Sequence, residues 1–431
     1  MAAAPTGIRI RSYNVGFGDC FLLTFSYASG RPRNVLIDFG STKQSASGPR
    51  GGMPTIAEAI REDCGGKLDM LVATHRHADH ISGFGGEAGD VIASLAPELV
   101  VQPWTEEPGL DPEAKAPDGE TDGALQARAA VARLSAMQAM AETALDQVPK
   151  LKRSRGVSKT VTDQIAFLGE TNLANLDAVK KLAEMGERKK DVYAHCGTKL
   201  ALGKILPGVH VEVLGPPTLE QSAAISHQAA TDEEEFWHLA VRDLAVAEGT
   251  PPGDLFPEAP TTRPRSQEAR WLMPRVDRMR GEEMLAIVRS LDGVLNNTSV
   301  ILLFEVGDRR LVFPGDAQLE NWHYALRECE EAEKIRERLA DACFYKVGHH
   351  GSLNATPKSL WNGFDRRGPK SDTARLATMV STMAGKHGST ARGTEVPRSV
   401  LIKELTKSSE LKNTQSLKTR ELFWNDVELE V

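Results

Sequence analysis

The segment THRHADH, Thr74 to His80, places His75, His77, Asp79 and His80 within six positions of a chain that holds only 11 histidines in 431 residues. Residues two apart at a strand end point the same way, so His75 and His77 can converge on one cation. Asp79 and His80 lie past the turn and can address a second one beside it. Imidazole and carboxylate donors without thiolate suit zinc or manganese in a site open to water. Such ions activate water for attack on a carbonyl or a phosphorus. One cluster cannot hold two ions alone, and two later stretches carry further donors. RLVFPGDAQ puts Asp316 just beyond a strand, and FYKVGHHGS does the same for His349 and His350.

These residues need strands that end together. The pattern predicts a strand from about Ile8, a glycine turn at Gly16 to Gly18, a second strand through Leu22 to Phe25, and a third that stops at Gly40. TIAEAIRED has helical spacing, and LDMLVATH is a short apolar run that delivers the histidine cluster at its end. Strand, helix, strand, with chemistry at the strand end, is α/β organisation. Strand character resumes in KLALGKILPGVHVEVLGPP and in TSVILLFEVGDRRLVFPGD, a hairpin around Gly307-Asp308. The tail, residues 376–431, offers ATMVST, a helix SVLIKELTK and a last strand ELFWNDVELEV.

Two segments interrupt this order. Residues 104–190 read as a helical insertion, with Leu134, Met137, Ala141, Leu145 and Val148 on one helix face and Leu173, Leu176, Val179, Leu182 and Met185 on another. Residues 218–292 form a second, proline-rich insertion. Between the two helices of the first lies PKLKRSRGVSK, where five basic side chains fall between Lys150 and Lys159. It reads as a solvated loop or as a phosphate-contacting lip, the latter using Lys152, Arg153 and Arg155. No internal repeat at a fixed period is visible.

Composition sets the outer limits. A formal net charge of −7 excludes a uniformly basic nucleic-acid surface, and an apolar fraction of 41% with 26% charged residues is that of a globular protein. MAAAPTGIRIRS has no apolar signal region, and no run of 18 apolar residues occurs, so no membrane span and a cytoplasmic location are expected. Five scattered cysteines without a CxxC pair fit buried free thiols in a reducing compartment.

The set THRHADH, FPGD and GHHGS, in that order, resembles the metallo-β-lactamase fold superfamily, and specifically the branch with the hydrolase domain of the DNA-internalisation competence protein (the ComEC type). NVGFGDCFLL and NVLIDFG are similar to that branch's opening strands, where a Gly-x-Gly-Asp turn and an Asp at a strand end border the metal site. The match covers roughly residues 8–103, 198–217, 294–357 and 376–405. It implies a single αββα domain over residues 1–431: two mixed β-sheets with helices on the outer faces, the two helical insertions, and residues 376–431 completing the second half. It also implies two divalent ions of one kind, zinc or, as the alternative, manganese. His75 and His77 hold the first ion, Asp79, His80 and His349 the second, and Asp316 bridges them. Asp38 orients a histidine or the reacting water. His350 is a substrate contact or proton donor, and the adjacent pair His349 and His350 leaves the choice of ligand between them open. Many members supply a further histidine from the strand end that here reads Gly215, Pro216 and Pro217. Water, or a histidine such as His195, His227 or His238, is left to complete the first ion.

A metal-bound hydroxide is then the expected nucleophile, with Asp79 and His350 in catalytic positions. Ser352 in GHHGS lacks the GxSxG elbow of a nucleophilic serine. The expected reaction is hydrolysis of a phosphodiester, nucleic acid included. Hydrolysis of a lactone, thioester or β-lactam would use the same ions. A third reading, of another class, is a metal-binding component of a larger assembly whose insertions dock a protein partner.

Overall fold

Apolar residues alternate along the opening strands, and the two sides of that alternation face two different layers. The computed structural model describes residues 4–107, 115–117, 143–154, 157–172, 176–187, 190–226, 278–279, 281–282, 284–285, 295–386, 388 and 395–431. Six strands open the first sheet: β1 (Pro5–Tyr13), β2 (Cys20–Tyr27), β3 (Arg33–Phe39), β4 (Met70–Val72), β5 (Leu99–Pro103) and β6 (Lys190–Ala194). Six more make the second: β7 (His210–Gly215), β8 (Ile301–Val306), β9 (Arg309–Phe313), β10 (Phe344–Lys346), β11 (Ala377–Val380) and β12 (Glu410–Asn413). On β2, Phe21, Leu23 and Phe25 join Phe304, Phe313 and Phe344 of the second sheet in one core between the sheets. Cys20 and Leu22 turn the other way, toward helices.

Those helices are α1 (Met53–Asp63), the single turn α2 (Ala78–Ile81), α3 (Gly86–Ser94) and α5 (Leu176–Glu187); α4 (Lys159–Asn172) precedes α5 in the chain and gives no residue to this layer's core. In α1, Ile56, Ala57 and Ile60 recur at helical spacing, and a proline sits in the first turn, where its missing N–H costs nothing. The outer face of the second sheet packs Leu303, Val312 and Tyr345 against Trp322 of α6 (Leu319–His323), Ile335 and Leu339 of α7 (Ala332–Ala340), Leu360 and Trp361 of α8 (Lys358–Asn362), and Leu401 and Leu405 of α9 (Ser399–Ser408). The molecule is thus α/β, with two mixed sheets and helices outside them.

Both sheets follow one succession. β1, β2 and β3 are antiparallel neighbours, after which β4, β5 and β6 add in parallel. β7, β8 and β9 are likewise antiparallel, the last two joined by the expected hairpin, and β10, β11 and β12 add in parallel. The final strand, β13 (Trp424–Glu430), departs from the expectation that the tail completes the second half. It crosses to the first sheet and pairs antiparallel with β1, from Gly7 opposite Glu430 to Tyr13 opposite Trp424. Charge and packing hold it there. Arg11 binds Asp426 through two hydrogen bonds of 2.7 and 2.6 Å, reaches Asp63 at 2.7 Å, and lies over the Trp424 ring.

The segment 104–190 divides in the structure. Ala178, Leu182 and Met185 of α5 belong to the helical layer on the first sheet, and β6 extends that sheet. By contrast, Ala144, Val148 and Leu151 pack with Ile165 and Leu285 in a small core of their own. Leu134, Met137, Ala141 and Leu173, and most of the segment 218–292, lie outside the described residues. Among the described residues no helix is long and apolar enough to cross a membrane.

Candidate metal centre

The parallel strands β3, β4, β9 and β10 end on one edge, and the donors stand where they end. β4 is only three residues long, followed by Thr74 and the histidines. Asp38, near the end of β3, fixes the start of this turn: its carboxylate accepts hydrogen bonds from Thr74 N and Thr74 Oγ1, both at 2.7 Å. The same carboxylate lies 2.7 Å from His80 Nδ1, so the other ring nitrogen of His80 faces inward. His77 precedes the turn α2, which carries Asp79 and His80. The β1–β2 turn presses on it from the side, with Asp19 N donating to Asp79 O at 2.9 Å. A side chain on Gly40 would meet the backbone of Asp79 and His80 at 2.5 Å, so glycine is required for this approach.

From the second half, Asp316 follows β9 after Pro314 and Gly315. Its Oδ1 accepts from His349 N at 3.0 Å and lies 3.4 Å from Lys346 Nζ. Oδ2 is turned inward, 3.0 Å from His80 Nε2, 3.7 Å from His350 Nε2 and 3.9 Å from His349 Nε2. His350 lies 2.9 Å by its Nδ1 from Ser381 O and 3.1 Å by its Nε2 from Asp79 Oδ2. Its ring packs on Phe17. Donor atoms of Asp79, His80, Asp316 and His350 all lie within 4.8 Å of one another, and those of Asp19, Asp38 and His80 form a second such group. His75 Nε2 and His77 Nδ1 approach to 3.0 Å.

These residues can hold a cation. Two donors on one tetrahedral zinc stand about 3.3 Å apart when each is about 2.0–2.1 Å from the ion, and the His80–Asp316, His350–Asp79 and His75–His77 pairs come close to that spacing. The His80 Nε2 to Asp316 Oδ2 approach does not meet the geometry of a hydrogen bond, and Asp79 Oδ1, Asp19 Oδ1 and His349 Nδ1 are buried without a hydrogen-bond partner. Buried polar atoms left this way are costly unless a further group completes them. The charge balance points the same way. Asp19, Asp38, Asp79 and Asp316 are each no more than 2% exposed, and the ammonium packed among them is that of Lys346, which pairs with Asp19 and donates to Gly315 O at 2.8 Å.

Without metal, protons take up part of the deficit. Burial alone would lower His80, but Asp316 and Asp38 outweigh it and hold its pKa well above the ordinary histidine value. Burial resists ionisation of Asp79, yet the His350 hydrogen bond and His80 keep its carboxyl below its usual range. Asp316 is held low in the same way, by His80 and Lys346 against burial. His75 and His77 are pulled down chiefly by burial, His77 to about 4, and so present neutral imidazoles fit for ligation.

The expected residues are mostly brought together. Asp79, His80 and Asp316 converge, with Asp38 behind His80, while His75 and His77 pair with each other beside them, the His75 ring 4.1 Å from that of His80, and belong to neither converging donor group. Of the histidine pair, it is His350 that stands in the four-donor group, while His349 beside it has 21% of its side chain exposed. His195 points its Nδ1 at Cys196 O, 2.9 Å away, and His227 and His238 lie outside the described residues. Lys152 and Arg153 are on the surface, Lys152 3.8 Å from Asp163, and Arg155 lies outside the described residues. Lys346 and Ser381 were not singled out from sequence, although a lysine within the apolar run CFYKVG is itself a sign that a buried charge has a partner. No protein-family model matches the chain, and no curated protein matches it.

Proposed function

We propose that the chain is a metal-dependent hydrolase of the metallo-β-lactamase type that cleaves a phosphodiester. One observation carries the reading: Asp79, His80, Asp316 and His350, contributed by the two halves of the fold, converge within 4.8 Å in a buried cluster of carboxylates and imidazoles. Divalent ions held there would supply a Lewis acid and an activated water at neutral pH. The chain's own part is to fix the donors. Asp38 takes Nδ1 of His80, and Ser381 O stands at Nδ1 of His350, so each ring offers Nε2. His349 N–H and Lys346 occupy Oδ1 of Asp316 and leave Oδ2 to the centre. The order of the motifs THRHADH, FPGD and GHHGS supports the phosphodiester among the substrates such centres cleave.

The test is metal analysis of the purified protein, followed by assays with bis-p-nitrophenyl phosphate, labelled DNA and RNA, and nitrocefin. Wild type should bind metal and turn over the phosphodiester, and His80→Ala should lower turnover by roughly 10⁴-fold, because a Lewis acid supplies several kcal/mol of transition-state stabilisation. Turnover of nitrocefin alone would move the substrate to the ester and lactam class. Metal-free protein that hydrolyses none of these would refute the proposal.

A further inference from the structure

We infer, on the metal reading proposed above, that Lys346 is the resident cation of the second donor group, Asp19, Asp38 and His80, so that of the two groups only Asp79, His80, Asp316 and His350 take a metal ion. Both groups have the spacing for an ion, but their donors are not equally free. His80 belongs to both, and an imidazole that ligates is neutral and gives one lone pair. Its Nδ1 lies 2.7 Å from Asp38 Oδ2, which keeps a proton on that nitrogen and leaves Nε2 to ligate, 3.0 Å from Asp316 Oδ2. His80 is therefore spent on the first group. Asp38 is spent as well: Oδ1 accepts from Thr74 N and Oδ2 from Thr74 Oγ1, both at 2.7 Å, besides the His80 contact.

What remains of the second group is Asp19, and the ammonium of Lys346 already sits on it. The two pair through Asp19 Oδ2, the oxygen that stands 3.9 Å from His80 Nδ1. Nζ also donates to Gly315 O at 2.8 Å and lies 3.4 Å from Asp316 Oδ1. Three oxygens, two of them from carboxylates, are the surroundings a hard cation takes, and here they enclose a side chain of a residue 2% exposed. The first group has no such occupant. Asp79 Oδ1 is buried without a hydrogen-bond partner, and His80 Nε2 meets Asp316 Oδ2 outside hydrogen-bond geometry. Asp316 joins the two groups: its Oδ1 faces the ammonium and accepts from His349 N at 3.0 Å, and its Oδ2 faces His80 and His350 at 3.0 and 3.7 Å. The carboxylate that two ions would share is thus shared by one ion and one ammonium. A positive charge this close repels the incoming ion, so Lys346 holds the metal affinity below what the carboxylates alone would give.

The experiment is equilibrium dialysis of the full chain against Zn(II), with bound metal counted and its affinity measured by competition with a chelator. Lys346→Met removes the repelling charge and should bind Zn(II) at least about 10-fold more tightly than wild type. A lysine that merely held Asp316 in place would give the opposite sign. Asp19→Asn keeps the shape of the side chain and an oxygen for Lys346. It should retain every equivalent that wild type binds, though more weakly, whereas Asp79→Asn should lose one. If Lys346→Met does not fold, the double variant Asp19→Asn with Lys346→Met reads the same step without leaving Asp19 unpaired, and it should bind more tightly than Asp19→Asn alone. Loss of an equivalent in Asp19→Asn would overturn the inference. So would removal of Lys346 that leaves the affinity unchanged or lowers it. Wild type that binds no metal would overturn the metal reading, and this inference with it.

Discussion

The two halves of the molecule run through the same succession of strands, three antiparallel and then three parallel, yet they treat the end of their fourth strand differently. β4 and β10 are both three residues long. In the first half the last residue is Val72, an apolar member of the core between the sheets; in the second it is Lys346, equally buried, with its ammonium between Asp19 of the first half and Asp316 of its own. Carboxylate handling differs accordingly. Asp38 is held by the neutral Thr74 and by His80, while Asp316 is held by an ammonium and a backbone N–H. A shared strand order therefore does not impose shared chemistry. The first half supplies most of the candidate donors, and the second supplies the fixed positive charge that offsets the carboxylates buried together.

The sharpest way to break this contrast is to make the second half resemble the first. Lys346→Met leaves Asp19 and Asp316 facing each other without an ammonium and should destabilise the metal-free protein by about 3–5 kcal/mol in urea unfolding. Added divalent cation should restore more stability to this variant than to wild type, because it replaces the missing charge. Equal stability of variant and wild type in metal-free buffer would mean that an apolar residue serves both halves alike. A smaller effect is expected from Gly40→Ala. Its methyl group would press on the Asp79–His80 backbone at 2.5 Å, and the forced shift of the turn should cost about 1–3 kcal/mol and loosen metal binding, read by calorimetry. The smallest concerns the helix and loop outside both sheets. Lys152→Glu with Arg153→Glu should change stability by no more than about 0.5 kcal/mol, since both are on the surface. If this stretch meets phosphates, the double variant should bind nucleic acid more weakly and with a flatter salt dependence. Unchanged binding would remove the patch from the phosphodiester reading.

The donors were legible in the sequence because their chemistry is local. His75, His77, Asp79 and His80 stand together in the chain, and Asp316 and His349–His350 each follow an apolar run with a glycine between. Which of the paired histidines enters the four-donor group was not legible, because it depends on left-handed backbone at two non-glycine residues, which no spacing rule anticipates. The kinship of the two halves was also hidden. It lies in the order and direction of strands, and Met70–Val72 and Phe344–Lys346 share no residue type. The place of α5 was masked by its context: its apolar face at Val179, Leu182 and Met185 was read, but periodicity alone cannot say whether that face covers the sheet or a separate insertion.

Pairing of β13 with β1 closes almost the whole chain into a loop, from Gly7 to Glu430. The entropy of such closure grows only slowly with length, but the contact cannot form until everything between its ends has found its place, so this edge is expected to assemble late. Until it does, the N-terminal strand offers a row of unpaired amide and carbonyl groups, the kind of template on which chains add to one another instead of to themselves. A chain shortened by its last eight residues would keep every proposed metal donor and still carry that exposed border, so its expected failure is insolubility, not loss of chemistry.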